Sequence, residues 1–443
     1  MPIAERFKAF PLLIAAVTVA AGYYVGVQIG LTLTFPLVTT SVLWPPNAIL
    51  TTALLLVPVR HWWVCLAAAL PVHFTLELAA GMPPGLVGLL FLTNCSEAVV
   101  AAGGMRLLSD APTAFNTFRR VVVFLFCAVV AAPILSSFAD AAVVHAFKGE
   151  SYWTVFRTRV FGNALTELSI VPCVVGGLLA IVHGVRKPTA WRVVEAVALT
   201  LCLVAMAAWV FGGGVQMLPI TRTPPMLLLP LFWAAARFGV GGVSAALFLS
   251  ALLASYETRL NPAAIELSPL EGLMAVQVYL TVIGVPLMCM AALLDERRSG
   301  ALDLADRLKF EALLSTISRE FVRTPAGMEP AGLDGCLRRV GEFLEVDCVC
   351  LQPMGDGSGD LPLTRQWRRS AADALAGANC VQRFPWAFSR VLAGEWLVCN
   401  SIDGFPVEAV KDRQVFQSRG IRSVVLHTSH SPASTRLKAH GNR

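Results

Sequence analysis

Ten apolar segments, joined by short loops in which arginine is the commonest charge, fill the chain from Phe10 to Leu294. A helix needs about 20 apolar residues to cross the hydrocarbon of a bilayer. Backbone that enters lipid must satisfy its own hydrogen bonds, so such a pattern folds as a polytopic α-helical membrane bundle. The segments are Phe10–Leu33, Leu43–Val57, Trp62–Ala79, Gly85–Leu107, Val121–Phe147, Val160–Val182, Val193–Phe211, Pro225–Ala236, Val240–Tyr256 and Leu270–Leu294. Two are short: the one opening at Trp44-Pro45-Pro46, and Pro225–Ala236. Counted as crossings they make ten spans; as re-entrant or buried half-helices they leave eight.

Loop charge bears on that count. Arg6, Lys8, Arg60, Arg106, Arg119, Arg120, Arg186, Lys187, Arg192, Arg237, Arg297 and Arg298 fall on one set of alternating ends. The other set has only Lys148, Arg157, Arg159, Arg222 and Arg259. The bias follows the positive-inside rule and puts both ends of the bundle in the cytoplasm. It holds at every loop only if both short segments cross, so ten is the preferred count. The first segment reads as a membrane helix and not as a cleavable signal peptide.

Composition marks where the bundle stops. Apolar residues make up 56% of the chain and charged ones 14%, against about a quarter charged in a soluble domain. The deficit lies almost wholly before Asp295. Boundaries follow at 1–295 for the membrane domain, 296–325 for an amphipathic linker, 326–428 for a small soluble domain and 429–443 for a polar, aperiodic tail read as disordered. The net charge of +6 sits at segment ends, which argues for topology and against nucleic acid. The 11 cysteines show no CxxC or Cys/His ligand spacing and read as buried structural thiols. Cys348 and Cys350 share one face of a strand-like run.

Polar residues inside apolar segments carry the functional signal, because ionisable groups at membrane depth are costly. Glu77, Glu97, Asp140 and Glu167 occur there with His73, Asn47, Asn94 and Asn163. Asn94 and Glu97 lie three apart; His73 and Glu77, and Asn163 and Glu167, lie four apart. Each spacing keeps a pair on one helical side. Such pairs line a polar cavity for a ligand or ion, or hold helices together by interhelical hydrogen bonds. Both readings fit the pattern.

The runs SVLWPPNAILTTALLL (Ser41–Leu56), TNCSEAVVAAGGMRLL (Thr93–Leu108) and RVFGNALTELSIVP (Arg159–Pro172) resemble the MASE1 family over most of residues 10 to 295. The resemblance implies a bacterial integral-membrane sensory domain in the inner membrane, passing a signal of undefined identity to a cytoplasmic output domain. Asn47 stands where the family often has Gly. On this reading Trp44, Asn47, Asn94, Glu97, Asp140, Asn163 and Glu167 form the candidate ligand site.

Beyond Leu294, residues Phe310, Leu314, Ile317 and Phe321 make an apolar stripe at spacings of four, three and four. A helix of this kind pairs with its twin as a short parallel coiled coil, giving a homodimer; alternatively it packs on its own soluble domain. Next come a helix at Leu333–Leu344, strands at Val346–Pro353 and Thr364–Arg369, a helix before a turn at Gly394, a strand at Trp396–Asn400, a helix over 407–419 and a strand at Gly420–Thr428. The loop Gly355–Asp360 is a turn and lacks the Lys of a phosphate cradle. FEALLSTISREFVRTP, LRRVGEFLEVDCVCL, FPWAFSRVLAGEWLVCNSID and RSVVLHT resemble a partial α+β GAF-like domain of the kind that precedes histidine kinase cores. Its later strands are missing, so it reads as truncated. No phosphoacceptor helix, ATP lid, Gly-Gly-Asp/Glu-Glu-Phe loop or catalytic triad is present, no residue identifies a cofactor, and the chain is not expected to be an enzyme by itself. Two function classes follow: the signal-input module of a two-component-type protein, or a transporter or channel using its intramembrane carboxylates.

Overall fold

The computed structural model describes residues 12–33, 41–182, 189–211, 224–260, 269–323, 329–351, 365–369, 384–401, 404–418 and 421–427. It divides into two compact units, one ending at Leu302 and one starting at Asp303. The first is helical throughout: α1 (Leu12–Thr32), α2 (Pro45–Leu56), α3 (Trp62–Ala79), α4 (Pro84–Leu108), α5 (Phe118–Lys148), α6 (Tyr152–Val182), α7 (Ala190–Phe211) and α8 (Leu228–Leu260). The helix α9 runs over Pro269–Arg323. Among the described residues, eight helices are long and apolar enough to cross a membrane. Exposed Leu13, Trp63, Ile181 and Leu229 are the lipid-facing side chains that a water-soluble bundle would hide.

The two short segments are short in the structure as well. At 12 residues and about 1.5 Å per residue, α2 covers about 18 Å, well under the ~30 Å hydrocarbon core. It is apolar and buried nearly all round, from Pro45 to Leu55, because α1, α4 and α6 pack against it. The other short segment is the first part of α8. There Gly239 breaks the helix with φ 67° and ψ −161°, a left-handed conformation that suits Gly alone. The eight membrane-length helices include the kinked α8 as one, so the preferred count of ten rests on two pieces that are each less than a full helix length.

Local chemistry explains two further irregularities. In α5 the residues Leu125–Ala131 are π-helical, directly before Pro133, whose missing N–H and ring forbid a regular turn there. Gly149 ends the same helix in the left-handed region, its N–H bonded to His145 O, a common way to satisfy a last-turn carbonyl.

Charged residues of α7, α8, α9 and the α4–α5 loop meet at one end of this unit. Glu296 Oε2 accepts from Phe118 N at 3.0 Å, Arg298 donates to Ala236 O at 2.7 Å, and Arg237 pairs with Glu195 at 2.5 Å. Arg120 and Asp110 pair beside them in the α4–α5 loop at 2.5 Å.

The second unit contains α10 (Glu329–Phe343), β1 (Cys348–Leu351), β2 (Arg365–Arg368), α11 (Pro385–Leu392), β3 (Leu397–Cys399), α12 (Val410–Ser418) and β4 (Val424–Leu426). Every described element falls where periodicity placed it, and Gly394 takes the turn conformation with φ 83°. The described strands pair as two separate antiparallel ladders, β1 with β2 and β3 with β4, and do not make one GAF-type sheet. Cys348 and Cys350 do share a face, with sulfurs 3.4 Å apart, but both are exposed. The expectation of burial fails at these two, because nothing among the described residues covers that face of the ladder. Phe310 lies near Phe343 of α10, ring centroids 6.0 Å apart and planes tilted by 45°, and both Phe310 and Leu314 stay exposed. The Gly355–Asp360 turn and the 429–443 tail lie outside the described residues.

Candidate functional site

Helix α2 ends inside the bundle, so its terminal backbone groups need partners that water would otherwise supply. At the C-terminal end Arg106 of α4 donates Nη2 to the carbonyls of Leu54, Leu55 and Val57 at 3.0, 2.8 and 2.8 Å. Trp62 Nε1 adds a bond to Leu54 O at 2.8 Å, and the guanidinium lies 5.8 Å from the Trp62 ring centroid. A cation at a helix C-terminus also complements the macrodipole. At the N-terminal end Trp44 N donates to Thr166 Oγ1 of α6 at 2.9 Å. Gln277 of α9 donates to Val42 O at 3.1 Å and Ser41 O at 3.4 Å. The entry to α2 is thus held by α6 and α9.

On its side wall α2 carries Asn47 and, one turn on, Thr51. Thr51 donates to Glu167 Oε1 of α6 at 2.8 Å. One turn earlier on α6, Asn163 donates to Glu97 Oε2 of α4 at 2.6 Å. Ser136 of α5 donates to the same oxygen at 2.5 Å. The Asn47 amide lies against the Glu97 carboxylate but outside hydrogen-bond geometry, and Glu97 and Glu167 are near enough to interact electrostatically. Four helices therefore converge on two carboxylates.

Both carboxylates are fully enclosed, Glu97 at 1% and Glu167 at 0% exposure. Neither has an ion-pair partner among the described residues. Glu97 Oε1, Glu167 Oε2 and both polar atoms of Asn47 lack any hydrogen bond. Buried polar atoms are normally paired, and leaving one without a partner costs about 1–3 kcal/mol. Four such atoms fall on Glu97, Glu167 and Asn47.

The remaining candidates separate from this cluster. Asp140 is neutralised: Arg159 Nε stands 3.0 Å from Oδ2, and Thr93 donates to Oδ1 at 3.0 Å. Asn94 is buried beside the Tyr23 phenol and not beside Glu97. His73 bridges Tyr23 and the backbone: Nε2 reaches Val87 O at 3.2 Å and Nδ1 the Tyr23 hydroxyl at 3.1 Å. A carbonyl only accepts, so Nε2 carries the proton and Tyr23 donates to Nδ1. Glu77 is buried with Oε2 unpaired, and it makes no bond to His73 despite the spacing of four. Trp44 contributes its backbone N–H and a ring against Gly30 of α1.

Thr51, Ser136, Thr166, Arg106, Tyr23 and Gln277 complete the constellation and were not singled out from sequence. Single hydroxyls in apolar helices are too common to signal anything. One missed signal was plain: Gly22, Gly26 and Gly30 repeat every four residues along α1, the small-residue spacing that lets membrane helices approach closely. That strip faces Ile49, Pro46 and Trp44 of the α2 segment.

The MASE1 family model matches residues 15–298. The chain belongs to the MASE1 family. MASE1 is a membrane sensory domain, and its match takes in every helix that contributes to the cluster. No curated protein and no solved structure matches the chain.

Proposed function

We propose that this MASE1 domain is the signal-input module of a bacterial two-component-type signalling protein, and that Glu97, Glu167, Asn47 and Asn163 form its input site. The observation that carries the proposal is the cluster of unpaired, fully buried polar atoms set against a half-helix. Asp140 has an ion pair with Arg159 and a hydrogen bond from Thr93, whereas Glu97 and Glu167 have no ion pair among the described residues and each keeps one oxygen without a donor. Occupancy pulls on α2 through Asn47 and Thr51. Gln277 grips the α2 entry, so the same helix α9 that extends to Arg323 feels the movement, and small helix shifts of this type bias output domains.

The orientation in this proposal has both ends of the bundle in the cytoplasm of the bacterial inner membrane. Support comes from the loop-charge bias and from the meeting of Glu296, Arg298, Arg237 and Arg120 at one end of the bundle. The exposed Phe310 and Leu314 on the α9 stripe support a homodimer, although Phe310 also lies near Phe343 of α10. The soluble part is read as GAF-like on its helix and strand order.

Transport is the competing reading, favoured by the same carboxylates. A flux assay on the purified chain in proteoliposomes separates them. The sensory reading expects no net movement of protons, alkali cations or small organic cations above protein-free vesicles; saturable flux abolished by Glu97→Gln would replace it.

A further inference from the structure

We infer that the Glu97–Glu167 cluster takes a small monovalent metal cation, held by Glu97 Oε1, Glu167 Oε2 and Asn47 Oδ1. This deepens, and rests on, the reading of the cluster as the input site. The chemistry of the free atoms sets the class of ligand. Each carboxylate has one oxygen engaged by neutral donors, Ser136 and Asn163 for Glu97 and Thr51 for Glu167, and one oxygen engaged by nothing. The third free acceptor belongs to Asn47, which is 0% exposed and lies against Glu97. Three oxygens without a hydrogen-bond donor, two of them on carboxylates, thus belong to neighbouring residues of α2, α4 and α6. Arg159 of α6, the basic residue one turn before Asn163, is taken by Asp140.

Size and charge follow from the same inventory. Oxygen ligands suit hard cations. Calcium asks for about six to eight oxygens and magnesium for a nearly octahedral, largely hydrated shell, more than the three free oxygens and the two neighbouring hydroxyls of a closed helix junction supply. No group of three His, Cys, Asp or Glu placed to hold a metal occurs among the described residues, which argues against a transition-metal centre. A larger organic cation would have to displace α2 itself. A small alkali ion can complete its shell on the three free oxygens and the Thr51 and Ser136 hydroxyl oxygens beside them, and it would tie α2 to α4, α5 and α6, the contact on which signalling depends.

The test uses the full chain in lipid nanodiscs, with thermal unfolding followed in NaCl, LiCl or KCl against N-methylglucamine chloride at equal ionic strength. The expected result is a saturable rise in melting temperature of a few degrees in one of the metal salts, since a ligand that binds only the folded state stabilises it. Glu167→Gln and Asn47→Ala should lose that rise, and Asp110→Asn, outside the site, should keep it. Equal melting in all salts overturns the inference, and so does stabilisation by acidification alone with no dependence on the metal ion. The wild-type series decides the matter even if a variant does not fold. An ion-independent result would leave the sensory reading standing, because that is read separately from the response of residues 296–323.

Discussion

Asn163 donates its side-chain amide to Oε2 of Glu97 at 2.6 Å, while Oε1 of the same carboxylate meets no hydrogen-bond donor. The two residues sit on different helices, α6 and α4, so their bond is a tertiary contact that depends on both helices keeping register. Its half-satisfied state distinguishes it from a structural clamp. A double-mutant cycle measures it. Asn163→Ala should destabilise the wild-type chain by roughly 2 kcal/mol, as for a hydrogen bond to a charged group. In a Glu97→Gln background it should cost about half as much, giving a coupling near ~1 kcal/mol. Thermal unfolding in nanodiscs reads both, and strict additivity would separate the two residues.

Arg106 closes the buried end of α2. Arg106→Ala removes three bonds to carbonyls and leaves those groups without donors, an expected loss of about 3 kcal/mol or more. Arg106→Lys keeps the charge but not the planar fork, and should fall between the two. The melting temperatures of the three proteins give the order.

At Gly30 an added methyl group would stand 2.7 Å from the Trp44 ring. Gly30→Ala should therefore cost about 1–3 kcal/mol through overpacking. Combined with Trp44→Ala, the same change should cost much less, since the obstacle is gone. A melting series over the four proteins shows the suppression, and equal penalties in both backgrounds would move the contact elsewhere.

Outside the membrane-spanning segments, Asp110 is held at a pKa of about 2, chiefly by its hydrogen bonds from Arg120. A depressed folded-state value means that the stabilisation is present above the unfolded value near ~3.9 and is lost as pH falls through about 2. The pair is exposed, so the effect is small. Arg120→Gln should return the carboxyl toward ~3.9. The difference in melting temperature between wild type and Asp110→Asn should shrink below pH 4, and a pH-independent difference would contradict the pairing.

How much of this could be read from the residues differs from feature to feature. The apolar segments, the break near Gly239 and the shortness of the Trp44-Pro45-Pro46 helix were legible, because length and proline position act locally. The pairing of Asn163 with Glu97 was only half legible: both appeared on polar faces, but nothing local shows which faces meet. Asn94 illustrates the difficulty. Three residues from Glu97 on an ideal helix is an offset of about 60°, enough to turn Asn94 toward Tyr23 while Glu97 turns toward Ser136. Arg106 read as a loop-end topology marker and is a cap on another helix. Exposure of Cys348 and Cys350 was misjudged because strand alternation says which residues share a face, not whether anything covers it.

The central claim is that the polar cluster communicates with α9. Hydrogen–deuterium exchange of the full chain in nanodiscs, wild type against Glu97→Gln, tests it most directly. The account predicts altered exchange of the amides in residues 296–323, with the β3–β4 ladder and membrane insertion unchanged. Identical exchange across 296–323 in a correctly inserted Glu97→Gln protein would contradict it.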